Sequence, residues 1–183
     1  MKARIGTFAA IAAAALLVGA VMVSCVSLKA ADAEEIGGEV VAKIEAEDGD
    51  LHTYGNGGDE PAVFTNSFIA SGAGYVKNIG YSQGYVEVTV PAGVEAGAYG
   101  VTLAWSGSES GEVSVTVNAD GGSPVTKTVD YYRDGHEWEM EDPQYLQVFT
   151  PATGLTLKGG DKLRIQNASD GNWIHIDTIY LFK

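Results

Sequence analysis

From Val41 onward the chain is a succession of short runs of alternating apolar and polar residues, each closed by glycine, proline, asparagine or aspartate. Tyr85 to Val90 stops at Pro91-Ala92-Gly93, and Ala98 to Trp105 stops at Ser106-Gly107-Ser108. Glu112 to Asn118 sets Val113, Val115 and Val117 on one face before the tight turn Asp120-Gly121-Gly122. Val125 to Tyr131, Tyr145 to Phe149, Leu155 to Leu157 and Lys162 to Gln166 continue the series, and Ala62 to Phe64 is a shorter one. Gly49 to Gly58 reads as a loop. No stretch sustains the recurrence of an amphipathic helix. Eight or nine such runs predict an all-β domain over 41–183, an antiparallel β-sandwich or jelly roll. The roughly 140 residues involved suffice for one core.

The last run, Trp173 to Phe182, is apolar on both sides at period two. Trp173, His175, Asp177, Ile179 and Leu181 fall on one side, and Ile174, Ile176, Thr178, Tyr180 and Phe182 on the other. Such a strand is expected to be covered on both faces, so Asp177 in its middle needs a partner. Glu45 and Glu47 supply one, since they share a face of a short strand read within Val41 to Asp48. If first and last strands meet, three carboxylates converge. Like charges so close raise one another's pKa unless a hard divalent cation sits among them, and calcium fits best.

Residues 1–25 are set apart from the fold. Lys2 and Arg4 precede an apolar, alanine-rich run from Thr7 to Val23, the pattern of a secretion signal. Met22-Val23-Ser24-Cys25 resembles the lipobox of bacterial lipoproteins, which makes Cys25, the single cysteine, the expected lipidation site. Anchoring in the bacterial cell envelope is expected through that lipid alone, with plain secretion after Ala31-Asp32-Ala33 as the other outcome. Residues 26–40, rich in alanine, glutamate and glycine, read as a flexible tether. The net charge of −13, with no basic run beyond the extreme N-terminus, argues against nucleic acid and is compatible with calcium and neutral sugars. A monomer is expected.

Several landmarks occur in order: Ile44-Glu45-Ala46-Glu47-Asp48, Gly72-Ala73-Gly74-Tyr75-Val76, Val88-Thr89-Val90-Pro91-Ala92-Gly93 followed by Gly97-Ala98-Tyr99, Leu155-Thr156-Leu157-Lys158-Gly159-Gly160-Asp161, and Trp173-Ile174-His175-Ile176-Asp177. Together they resemble carbohydrate-binding modules of families 6 and 35 over nearly all of 41–183. The resemblance implies a jelly roll with a structural calcium and a sugar cleft built by loops at one end. It matches Glu45, Glu47 and Asp177 to the family's metal carboxylates, and Tyr75 to its loop aromatic. His175 stands where the family pattern often has an asparagine, a departure that Asn172 or His175 itself could cover.

Sugars pack their C–H faces on aromatic rings and need directed hydrogen bonds. Tyr75, Trp138 and Trp173 are therefore the candidate platforms, with Asn172 and His175 as polar contacts. His175 has a plainer reading as an interior histidine. Catalysis has little support: His52, His136 and His175 lack metal-ligand spacing, and no Gly-x-Ser-x-Gly elbow occurs. Glu137, Glu139 and Glu141 share one loop with nothing to fix their separation. The expected function is non-catalytic binding of an oligo- or polysaccharide. The alternative is a structural or adhesive surface lipoprotein of the same fold that recognises a protein.

Overall fold

The structure, a computed structural model, describes residues 36–53, 60–65, 70–72, 74–80, 84–108, 110–132, 147–169 and 171–183. Cys25 and Trp138 lie outside these residues. The first sheet contains β1 (Val40–Glu45), β3 (Ala62–Phe64), β4 (Tyr75–Gly80), β6 (Gly97–Gly107), β9 (Gln147–Leu157) and β11 (Trp173–Phe182). Its order is β3-β4-β11-β6-β9, with β1 also pairing β11. The second sheet contains β2 (Asp50–His52), β5 (Tyr85–Thr89), β7 (Ser110–Val117), β8 (Val125–Tyr132) and β10 (Lys162–Asn167), in the order β2-β5-β10-β7-β8. Every pairing is antiparallel.

The expected antiparallel β-sandwich is what forms. Val86 and Val88, the three valines of β7, and Leu163 and Ile165 turn inward from the second sheet. Val76, Ile79, Val101, Leu103, Leu155 and Leu157 meet them from the first. Burying each such side chain contributes about 1.5–3 kcal/mol, so the alternating faces of the runs carry most of the driving force.

β9 is one strand across two runs that the sequence separates at Pro151. Its register against β6 slips between Tyr99 and Val101 and again between Val101 and Leu103. Bulges absorb Pro151 and the left-handed Gly154 (φ +68°), and an edge strand tolerates a proline because its outer N–H needs no partner. β2 lies inside the expected loop, held by pairing with β5.

Residues 36–40, assigned to the tether from sequence, are tied to the fold. Ile36 is only 2% exposed, and its carbonyl accepts from Thr102 Oγ1 at 2.8 Å. Glu39 and Lys183 exchange backbone hydrogen bonds of 3.1 and 3.0 Å before β1 begins. A lone isoleucine in an alanine- and glycine-rich stretch left little sign of this.

β11 departs from simple alternation. Ile176 faces Trp105 on β6 and Thr178 faces the next residue, Ala104, so Asp177 is an extra residue, a bulge. The bulge shifts the phase of the strand. Ile174 and Ile176 point into the core before it, and Ile179 and Leu181 after it. The strand is apolar at both parities because its inward face changes parity, and Asp177 does not share a face with Ile179 and Leu181.

Candidate functional site

The bulge sits where β11 changes neighbours. On one edge β4 pairs with Trp173 to Ile176, while β1 pairs with Thr178 to Phe182. Asp177 falls between the two partners, and residues 70–72 come up against it. Ser71 N donates to Asp177 Oδ1 at 2.8 Å, and Ser71 Oγ donates to Glu45 Oε2 at 2.6 Å. Thr178 Oγ1 lies 2.8 Å from Ser71 Oγ and 3.2 Å from both Glu45 Oε2 and Asp177 Oδ2. Glu45 arrives there because it is the last residue of β1, opposite Thr178.

Glu47 reaches the same cluster by another route. The chain leaves β1 in a 3-10 turn at Ala46–Asp48, so Glu47 does not share a strand face with Glu45 as the alternation implied. Its Oε1 accepts from Gly74 N at 3.1 Å. Gly72, at φ +62°, packs so closely that a Cβ there would collide with Glu47 Oε1 and stand 3.2 Å from Glu45 Cδ. Ser71 thus holds Asp177 and Glu45, and Gly74 holds the third carboxylate, Glu47.

Burial, opposed by the Ser71 amide and the Thr178 hydroxyl and reinforced by Glu45 and Glu47, pushes Asp177 up to about 6. Glu45 is also raised by burial, but hydrogen bonds from Lys43, Ser71 and Thr178 outweigh this and hold its carboxyl below the usual range. Lys43 Nζ lies 2.8 Å from Glu45 Oε1. The donor set of three carboxylates with two hydroxyls suits a hard cation that prefers oxygen, such as calcium. As the side chains stand, no three ligating groups among the described residues already form a metal-holding set.

One turn of chain away, Tyr75, His175 and Trp173 share the outward side of the first sheet with Phe64. Tyr75 lies between Phe64 (centroids 5.3 Å apart) and His175 (5.8 Å). Tyr75 is only 4% exposed, so it is a packed ring and not the open platform expected of the aromatic matched to the family's loop. His175 is equally enclosed, and its Nδ1 accepts from Asn78 N at 3.0 Å, which leaves the neutral ring's proton on Nε2. This is the interior role that the plainer reading gave it. The half-buried rings are Trp173 and Phe64, the latter with Lys77 Nζ 5.4 Å from its centroid. Asn172 commits its Nδ2 to Ser110 O at 2.8 Å, fixing the entry to β11. Phe64, Ser71, Thr178 and Lys43 were not singled out from sequence, since nothing local marks them until β3, β1 and β11 are brought together.

No family model and no curated protein matches the sequence. Solved structures do match in fold. A family 35 carbohydrate-binding module from Clostridium thermocellum aligns at TM-score 0.57 and 19% identity, covering 78% of this chain and 98% of that one. A further module of that family, from Paenibacillus barcinonensis, aligns at 0.56 and 19%, with the same coverages. A GH26-CBM35 β-(1,4)-mannanase from Podospora anserina aligns at 0.55 and 16%, covering 77% of this chain but only 27% of the enzyme. The chain therefore has the jelly-roll fold of these modules and spans about a quarter of the mannanase.

Proposed function

We propose that this protein is an exported, calcium-stabilised module that binds an oligo- or polysaccharide and performs no chemistry on it. One observation carries the reading: in a sandwich that spans 98% of a free-standing family 35 module, three carboxylates meet at the Asp177 bulge. The aromatic side of β3, β4 and β11 adjoins them. Asp177 is two residues from His175, and Gly74, whose amide holds Glu47, precedes Tyr75. An ion at the cluster would brace the strands that carry those rings.

Within this reading Trp173 and Phe64 offer faces to the sugar, with Tyr75 backing Phe64 and His175 backing Tyr75. Trp138 is a further platform, and Asn172 orients Trp173 more than it touches ligand. Residues 1–25 direct export, and a lipid on Cys25 anchors the protein. A glycan array probed with and without calcium tests the proposal. Binding lost in Trp173→Ala with an unchanged melting temperature supports it. A blank array, with a protein captured at the cell surface instead, overturns it in favour of the adhesive reading. Metabolic labelling with palmitate, lost in Cys25→Ser, tests the anchor.

A further inference from the structure

Lys43 has no place in the proposed binding reaction, yet it makes an ion pair within the carboxylate cluster. Strand geometry puts it there. Lys43 and Glu45 are two apart on β1 and share a face, and Lys43 pairs across to Tyr180 on β11. The ammonium then reaches Glu45 Oε1 at 2.8 Å, while Glu45 Oε2 takes Ser71 and Thr178. Both oxygens of Glu45 are engaged. Glu45, Glu47 and Asp177 carry three formal negative charges, and Lys43 brings one positive charge to their rim.

A cation that takes both oxygens of Glu45 displaces this ammonium from Oε1, and one that binds through Oε2 alone shares the carboxylate with it; in either case two cations on one carboxylate repel. Lys43 itself can leave at little cost, because its side chain is 43% exposed and ends a flexible four-carbon stem. We propose that Lys43 is an internal counter-ion of the cluster, holding Glu45 in position without metal, retreating when a divalent cation enters, and so weakening the site's affinity for that cation. This rests on the calcium reading above and concerns how that site is tuned. The ion would be bound loosely enough to exchange, and the sandwich would not depend on it for folding.

The test uses the whole protein with Lys43→Met, which keeps the stem and removes the charge. Calcium titration by calorimetry is expected to give a dissociation constant roughly tenfold lower than wild type, as one nearby unit charge is removed from a partly exposed site. Lys43→Arg, which keeps the charge, should stay within about threefold of wild type. An unchanged or weaker calcium affinity in Lys43→Met overturns the tuning role. The counter-ion role is read separately, from melting in EDTA of Lys43→Met, Glu45→Gln and the double variant. Non-additive losses support it, and additive ones overturn it. If wild type takes up no calcium at millimolar concentration, the calcium reading fails and takes the tuning role with it, while the EDTA cycle still decides the counter-ion role.

Discussion

Gly72 offers a sharp way to test whether the carboxylate cluster holds the sandwich together. Its φ of +62° lies in the left-handed region, where alanine costs about 1–2 kcal/mol. A Cβ at Gly72 would also strike Glu47 Oε1 and press on Glu45 at 3.2 Å, so the carboxylates would have to separate. Gly154 provides the matched control, since its φ is +68° but nothing lies within 4 Å of its Cβ position. Gly154→Ala should therefore show the backbone cost alone. Gly72→Ala should lose that amount plus the displaced Glu47 contact, about 1–3 kcal/mol more for hydrogen bonds to a charged group. At about 2–4 °C per kcal/mol for a domain near this size, the two variants should melt roughly 2–12 °C apart. Differential scanning calorimetry reads both. Calcium is expected to raise the melting temperatures of wild type and Gly154→Ala alike, and that of Gly72→Ala much less. Equal melting losses and equal calcium responses would refute the reasoning, because the close packing of Gly72 on the two glutamates would then carry no energy.

Three other perturbations read different parts of the molecule. Burial pushes the Tyr131 phenol up to about 12, only slightly offset by Asn167. A folded pKa above the unfolded value of about 10 means that stability is intact below pH 10 and is lost as pH rises from about 10 to about 12. Denaturant melts across that range should show the decline, and Tyr131→Phe should flatten it. Arg164 donates from Nε and Nη2 to Glu87 Oε2 at 3.1 and 2.9 Å, reaches Asp120 at 2.9 Å, and lies 4.0 Å from the Tyr85 ring centroid. With Arg164 and Glu87 side chains 16% and 13% exposed, Arg164→Met should cost about 2–3 kcal/mol in urea unfolding. Glu87→Gln in that background should recover part of it, and no recovery would show that the loss is packing alone. Ile36→Ala should cost about 2–3 kcal/mol in the same assay, which a mobile residue 36 would not.

The β character, the positions of most strands and the meeting of the domain's first and last strands were legible in sequence because they follow from local rules. Period-two alternation marks Val113, Val115 and Val117 without reference to any partner. A lone aspartate in an apolar run announces that something must compensate it, and Glu45 lay at the other end of the domain. The physical reason is that burying an unpaired charge costs more than any local preference can supply.

What the sequence could not decide depended on which edge of which strand was free. Alternation cannot reveal a bulge where both parities are apolar, so the phase change at Asp177 was hidden until β6 fixed the register of β11 on its other side. The same break in pairing between β4 and β1 opened the gap that Ser71 fills. Tyr75 was expected to be an open sugar platform and is buried because β3 and β11 set Phe64 and His175 against it. Composition and pattern act along the chain, whereas register, burial and the company a carboxylate keeps are set by contacts between residues about 100 apart, as Ser71 and Asp177 are.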